Sequence, residues 1–438
     1  MIAIIGAGLT GLTAALHLAE SGHQVAVFEA GDHLGGRTRS FVDTHTQTTI
    51  DHGPHLLCGA YHATRKLLNK LEIESNVTWQ AHVTLPLWEH ERGGFLFSPS
   101  AHLPLALAIF PAVLRMPEHG FRSILGMIAT QCRAPTSPIT TVHAWLKTMH
   151  AHPLLIRDFL EPLCFATMNE SMATANAVSF QRLLKTAFHN HDSAKLGWFN
   201  RPLTDAIITP LQCRLEALQI PIQRRTSIRK LSLEGKRYIL HSQSKRYGHF
   251  DQVILAIPAY AKARLLNTDT PDQKKHIQTR SILNLHLWFK ELAPLPTQST
   301  TPFIGGLGTQ GQWFFDISAQ MVGESNPLRH LCMVVSAPED LANLAMHRHA
   351  DWLKIAIEEF AAIYAMNPDE LQFKCAHHRL IHEKRATVLV QEYQNGVDIP
   401  EALAHGIIDR CEQPRIGELP ATIEMAIQRG DTNALITS

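Results

Sequence analysis

At 438 residues the chain exceeds what one hydrophobic core usually supports, so two domains are expected, and its net charge of +1 excludes an extended nucleic-acid-binding surface. Charged residues make up 18%, below the roughly 25% of typical soluble chains, which is consistent with extra apolar surface. Seven cysteines, an odd number without a C-x-x-C pair, point to a reducing cytoplasm rather than a disulfide framework, and no apolar run reaches the length of a membrane span.

Ile2 to Ile5 is an uninterrupted apolar run, expected as a buried parallel strand that leaves no room for a targeting segment before it. Gly6, Ala7, Gly8, Leu9, Thr10 and Gly11 follow as G-x-G-x-x-G. The three glycines serve a tight turn, close approach of backbone to a pyrophosphate, and close packing of helix on strand. A helix is expected from about Thr10 to Ser21, stopped by Gly22, with its free N-terminal amides aimed at phosphate. A second strand, Val25 to Phe28, delivers Glu29, whose carboxylate suits the two hydroxyls of a ribose and disfavours a 2′-phosphate. A G-x-G-x-x-G alone is a weak signal; here strand, helix, second strand and acid all fall in register.

Past Glu29 and Ala30 the chain continues Gly35, Gly36, Arg37, Thr38, Arg39, Ser40. This G-G-R-x-x-S resembles the FAD signature of the large family holding amine oxidases, protoporphyrinogen oxidases and carotenoid desaturases, and it implies FAD with Arg37 near the cofactor's phosphates. Asp51, Gly53, Pro54, His55, Leu56, Leu57, Gly59, Ala60 and Tyr61 then spell a narrower pattern. It resembles the squalene-associated, FAD-dependent branch of that family, the hydroxysqualene dehydroxylases of bacterial hopanoid pathways. The resemblance implies that the Asp51–Gly53 turn brings backbone to the isoalloxazine and that His55 stands near its reacting face. Two roles stay open for His55: a turn-capping histidine, or the acid that protonates a leaving hydroxyl, for which imidazolium at cytoplasmic pH would need little tuning.

Tyr61 to Leu71 is expected as a helix, and Trp79 to Phe97 as a hairpin turning at Arg92, Gly93 and Gly94. Ala101 to Arg115 is apolar with prolines at 104 and 111, and is too short to span a bilayer. It reads either as a core helix broken by proline or as an apolar lip that inserts Leu105 and Ile109 into a membrane surface. Helices are expected over Leu154 to Met168 and Val178 to Phe188, and the string Phe159 to Cys164 with Met168 and Asn169 resembles the family's substrate domain.

Thr226 to Leu231, followed by a turn at Glu234 and Gly235, resembles the family's three-stranded insert, which implies that Ile228 pairs its backbone with adenine. Asp251 to Ile257 reads as a strand closing on Pro258, and Trp313, Phe314 and Phe315 as a strand that either lines a substrate tunnel or belongs to plain core. Among 27 histidines, the pairs His189/His191, His347/His349 and His377/His378 have no metal-ligand spacing, so no metal is expected.

Near the C-terminus, Glu383 to Thr387 and Leu419 to Glu424 match the dehydroxylase pattern, which implies a cofactor contact at Thr422. Between them the family's Ala-Gly-Asp turn is altered: Asp409 is the best candidate acid, without a glycine before it. An amine oxidase is disfavoured because that subfamily places an aromatic cage late in the chain, and no Phe, Tyr or Trp follows Tyr393.

The fold expected is α/β, an FAD-binding Rossmann-type nucleotide domain (1–75, 206–268, 385–438) interleaved with a mixed-sheet, largely helical substrate domain (76–205, 269–384). The cofactor set comprises Gly6, Gly8, Leu9, Thr10, Gly11, Glu29, Ala30, Gly36, Arg37, Gly53, Pro54, His55, Ile228, Asp409 and Thr422, with His55 also the catalytic candidate. The activity implied is reductive dehydroxylation of hydroxysqualene, an apolar isoprenoid. The alternatives are a carotenoid-type desaturase and a non-catalytic isoprenoid carrier. The resemblance also leaves open a peripheral contact on the inner membrane face, and the electron donor is not readable from the residues.

Overall fold

The computed structural model describes residues 1–266, 279–323, 326–340, 349–389, 406–410 and 423–431. Ile2–Ile5 lies at the centre of a five-stranded parallel sheet, flanked by Val25–Phe28 and Gln252–Leu255, with Ile222–Gln223 and Ile407–Asp409 at the edges. Alternation along these strands serves two cores. Ile2, Ile4, Val25, Val27 and Ile254 pack with the Leu9–Glu20 helix, whereas Ala3, Ile5, Ala26, Phe28, Val253 and Leu255 pack with Leu231, Tyr238, Leu240 and Phe250 of a three-stranded antiparallel sheet. The crossover from strand to helix is tight. Gly6 has φ +102°, and a Cβ on Gly11 would stand 1.9 Å from the Gly6 carbonyl oxygen, so glycine is needed at both.

The second sheet has seven strands, in the order Cys375–Val388, Thr279–Lys290, Leu328–Ser336, Trp313–Asp316, Phe303–Leu307, Leu85–Glu89 and Gly93–Phe97. It is mixed, because Phe303–Leu307 runs parallel to Leu85–Glu89 while the other pairs are antiparallel. On Thr279–Lys290 the residues Leu283, Leu285, Leu287 and Phe289 bury against Trp352, Ala356, Ile357 and Phe360 of the His349–Tyr364 helix. The opposite face therefore carries Ile282, Asn284, His286 and Trp288, which is how three polar or amphipathic side chains come to be buried on an apolar strand.

Helices Leu105–Leu114, Phe121–Cys132, Val142–Thr148 and Ala177–Ala187, with the helical run from Pro153 to Met168, form a third core. The fully buried Asp158 braces this layer to the sheet. It accepts two hydrogen bonds from Arg92 (2.7 and 2.9 Å), two from Arg157 (2.6 and 3.3 Å) and one from His119 (3.0 Å), and against the large opposing cost of burial these partners hold its carboxyl well below the usual range.

The Ala101–Arg115 stretch holds the helix with an internal proline that one reading of the sequence expected. Leu105–Leu114 is helical with Pro111 inside it, and Leu105 and Ile109, expected to insert into a membrane, are buried in the core. The exposed side chains are Leu103, Leu107 and Leu114, joined by Phe121, Leu125 and Ile128 of the next helix. The correction follows from the helical period, which turns positions 105, 108, 109, 112 and 113 inward and 107 and 114 outward. Among the described residues no helix is long and apolar enough to cross a membrane.

Candidate functional site

A single cavity of about 1810 Å³ runs from the glycine turn after the first strand to the apolar space between the second sheet and the helical layer. That volume exceeds the ~300–1,000 Å³ of an ordinary ligand pocket and leaves room for a cofactor and a substrate together.

At its nucleotide end the turn is shaped for phosphate. A Cβ on Gly8 would meet nothing within 4 Å, so backbone there faces open cavity, and Leu9, Thr10 and Gly11 begin a twelve-residue helix whose first amides lack intrahelical acceptors. Gly35 donates its N–H to the Ala7 carbonyl (2.8 Å), folding the G-G-R loop over the turn. Glu29 stands at the end of the second strand, its Oε2 accepting from Ala7 N–H (2.9 Å) and its Oε1 from Gly31 N–H (2.7 Å). These bonds hold the carboxylate in one orientation and leave lone pairs for hydroxyl donors. Ala30, Gly36 and Ile228 line the same end, and among the described residues the Ile228 backbone makes no hydrogen bond. Arg264, Arg385, Arg410 and Arg429 also line the cavity, giving it the sign a pyrophosphate needs. Arg37 lines it too, while its Nη1 donates to the carbonyls of Arg385 (3.2 Å) and Ala386 (2.5 Å), tying the loop to the long strand of the second sheet.

Further in, Gly53, Pro54 and His55 form the cavity wall. A Cβ on Gly53 would lie 2.3 Å from Asn284 Oδ1, so the missing side chain makes room for this amide. Asn284 is 5% exposed, faces the cavity, and has no side-chain hydrogen bond among the described residues. His55 Nδ1–H donates to the Gly53 carbonyl (2.9 Å). Burial lowers its pKa, and the charges of His52 and Arg37 lower it further against the opposing effect of the Gly53 bond. The ring is therefore a neutral imidazole with Nε2 free near neutral pH, and the imidazolium expected to need little tuning is disfavoured. Beyond it the wall is mainly apolar, formed by Val83, Leu87, Phe97, Phe159, Leu163, Leu183, Phe188, Trp313 and Phe315, with Gln80, Thr84, Asp158, Thr167, Arg182 and Thr186 among them.

The C-terminal residues divide. Thr422 lies outside the described residues. Asp409 ends the fifth parallel strand but does not line the cavity: its Oδ2 is 2.5 Å from the buried Lys262 Nζ, while its neighbour Arg410 faces inward. Gly11 likewise does not line the cavity and acts through helix packing. Sequence reasoning missed Asn284 and Asp158, and it gave no role to Glu424. The last, 3% exposed, accepts from Ala63 N–H, Thr64 N–H and Thr64 Oγ1 at 3.0, 2.8 and 2.8 Å, capping the His62–Lys70 helix from across the molecule. A lone polar residue at alternating register in an apolar strand was the available signal for Asn284; the other two depend on distant partners.

Comparison with known proteins gives a consistent result. The sequence profile described as flavin containing amine oxidoreductase matches residues 9–386. The hydroxysqualene dehydroxylase of Zymomonas mobilis is 24% identical over 440 residues, covering 98% of this chain and 97% of that protein. The hydroxysqualene dehydroxylase of Rhodopseudomonas palustris is 28% identical over 461 residues, covering 98% and 96%. Among solved structures, an oxidoreductase from Methanosarcina mazei shares the fold with a TM-score of 0.72 at 15% identity, covering 98% of each chain.

Proposed function

Because the chain belongs to the flavin-containing amine oxidoreductase family and is an FAD-dependent oxidoreductase, we propose that its reaction is the reductive removal of the hydroxyl of hydroxysqualene to give squalene. The observation that carries this reading is the continuity of the cavity: one space of about 1810 Å³ joins the nucleotide turn to an apolar chamber with few polar groups. A hydrocarbon bearing one hydroxyl fits such a chamber, and the similarity to two dehydroxylases over nearly their whole length supports the substrate.

When bound and reduced, the flavin supplies hydride. Gly8 and the amides that follow would receive its pyrophosphate, Glu29 its ribose, and Ile228 its adenine. The chain's own residues do the rest. The aromatic and aliphatic wall excludes water, so that an allylic cation formed by loss of the hydroxyl is not captured by solvent. Asn284, with a free amide at the junction of the two ends, orients the hydroxyl. His55 donates the proton that lets the oxygen leave as water, after acquiring a second proton on Nε2. The test is product analysis from hydroxysqualene under anaerobic, flavin-reducing conditions. His55→Ala is expected to keep FAD and lose about a hundredfold to ten-thousandfold in rate; turnover within about threefold of the parent, well under that range, would remove His55 from this role. A desaturated polyene product with flavin reduced would select the carotenoid-type reaction instead.

The exposed apolar side chains Leu103, Leu107, Leu114, Phe121, Leu125 and Ile128 support contact with an anionic lipid surface, since Arg115, Arg122 and Arg133 accompany them and Glu118 is the one acid between 101 and 133. This face adjoins the chamber. His191 Nε2–H donates to the Leu103 carbonyl (2.7 Å), beside the Ala177–Ala187 helix whose Leu183, Thr186 and Ala187 line the cavity.

A further inference from the structure

The face of the second sheet that looks into the large cavity carries two polar side chains with nothing to bond. Asn284 lies on Thr279–Lys290, and Ser336 ends the neighbouring Leu328–Ser336 strand. Each is 5% exposed and lines the cavity, and among the described residues neither the Asn284 amide nor the Ser336 hydroxyl makes a hydrogen bond. Register puts them together. Ile282 pairs with Ser336 and Asn284 with Val334, so Asn284 and Ser336 are diagonal neighbours on one face, a separation of about 7–8 Å. One hydroxyl bound between them bridges that gap with a bond of about 3 Å to each. Both side chains are held in place. The Ser336 N–H donates to Gln312 Oε1 (2.8 Å), and the Gly53 backbone stands so close to Asn284 that a Cβ there would lie 2.3 Å from Oδ1.

We propose that Asn284 and Ser336 form an alcohol-binding subsite by which the protein separates hydroxysqualene from squalene, and this inference rests on the dehydroxylation proposed above. Substrate and product of that reaction differ by one hydroxyl, so the hydrocarbon contacts of the chamber cannot tell them apart. The subsite can. An alcohol offers one donor and two acceptor lone pairs, the amide supplies a donor at Nδ2 and an acceptor at Oδ1, and the serine hydroxyl serves as either. With hydroxysqualene both side chains are satisfied. With squalene the hydrocarbon covers them and leaves buried polar groups unpaired, which is how a site built for a hydroxyl rejects the analogue that lacks it. The groups that hold the substrate thereby favour departure of the product.

The surroundings sharpen this choice. Ile282, Val334, Trp313 and Phe315 line the same part of the wall, and the buried Trp313 Nε1 is shut off from the cavity, so a hydroxyl placed there finds its bonds at Asn284 and Ser336. Other polar side chains of the chamber have their donors committed to the chain. Gln80 Nε2 donates to the Thr84 carbonyl (2.5 Å), Thr167 Oγ1 to the Leu163 carbonyl (2.6 Å) and Thr186 Oγ1 to the Arg182 carbonyl (2.8 Å). Thr84 keeps a hydroxyl of its own on the wall and serves as the control.

In the FAD-loaded, oxidised protein no hydride is available, so binding of hydroxysqualene and of squalene, each dispersed in detergent, can be titrated through the flavin absorbance without turnover. The parent should prefer the alcohol by about tenfold or more. Asn284→Leu, which keeps side-chain volume, and Ser336→Ala should each weaken hydroxysqualene binding by about fivefold to a hundredfold and leave squalene binding unchanged or tighter. Thr84→Val should keep the parent's preference. A parent without preference, variants that weaken both ligands equally, or a preference lost in Thr84→Val and kept in Asn284→Leu overturns the subsite. A shifted flavin spectrum in both ligand-free variants, with the preference retained, would assign the two groups to the isoalloxazine and overturn it as well. If Asn284→Leu fails to fold, Ser336→Ala, which removes a single oxygen, decides by the same titrations. A parent that prefers the alcohol yet forms no squalene when its flavin is reduced sinks the dehydroxylation reading and leaves the subsite standing.

Discussion

Gly8→Val separates cofactor binding from folding. Gly8 precedes the first helix at φ −69° and ψ 175°, an extended conformation that valine adopts readily, and a Cβ there meets no atom within 4 Å. The Gly8 carbonyl would still accept from Leu12 N–H (3.0 Å). The fold should therefore lose no more than about 1 kcal/mol, with the melting temperature of the apoprotein moving by a few degrees. The added methyl groups occupy the space through which a phosphate must approach the helix amides. Losing two amide–phosphate hydrogen bonds at about 1.5–3 kcal/mol each weakens FAD binding by roughly two to four powers of ten. The flavin-to-protein ratio from absorbance, a titration of apoprotein with FAD, and a circular-dichroism melt of the apoprotein measure the three quantities. Full FAD occupancy with unchanged affinity would refute the placement of the pyrophosphate at this turn. An apoprotein that fails to fold would refute the open space beside Gly8.

The remaining predictions concern the proposed lipid face and the carboxylates Asp158 and Glu359. Leu107→Asp with Leu125→Asp should reduce sedimentation with phosphatidylglycerol-containing vesicles by roughly tenfold or more, since each inserted leucine contributes about 1.5–3 kcal/mol; equal sedimentation would mean that this face contacts something else. Arg92→Ala strands the fully buried Asp158 carboxylate with a weaker set of partners and should cost about 3–5 kcal/mol in chemical denaturation. A loss below about 1 kcal/mol, the size of an exposed pair, would show that His119 and Arg157 suffice. Glu359 accepts from Gln310 N–H (2.5 Å) and Gly311 N–H (2.9 Å), yet burial pushes its carboxyl up to about 7. Its folded pKa lies above its unfolded one, so the folded state binds the extra proton between pH 4.5 and 7. Stability should be highest below that window and fall across it, by at most on the order of 3 kcal/mol. Glu359→Gln should flatten this slope, and a slope retained in the variant would assign it to another group.

Much of the fold was legible because its signals are local. The Ile2–Ile5 run, the glycine turn, the helix, Val25–Phe28 and Glu29 lie within thirty consecutive residues and form the expected strand, helix and strand. Asp409 was reached only through the resemblance, as the best candidate acid of an altered turn, and it ends the strand Ile407–Asp409, whose partner Gln252–Leu255 lies far away in the chain. What could not be read was where that acid points. Asp409 faces Lys262 because a lysine on the Ala259–Leu265 helix is buried beside it, a fact about packing with no sequence period. The inward and outward faces of Leu105–Leu114 were similarly ambiguous, since the helix is apolar nearly all round and only its contacts with the third core decide which leucines are covered.

By itself the sequence determined the nucleotide-binding turn, the chemical class of the cofactor and the alternation that makes each strand, because these depend on residues within reach of one another along the backbone. Only the tertiary structure decided which polar side chains gather beside the candidate site. Asp51 ends the Thr49–Asp51 strand and Gly53 and His55 follow it, Asn284 and His286 come from a strand more than two hundred residues later, Gln320 ends the Ile317–Gln320 helix, and His330 lies on Leu328–Ser336. Their proximity is set by sheet register, which places Asn284 and His286 on one face of their strand and turns Leu283 and Leu285 to the other. Packing depresses the proton affinities of both His55 and His286, which are therefore properties of the folded chain rather than of the residues that carry them.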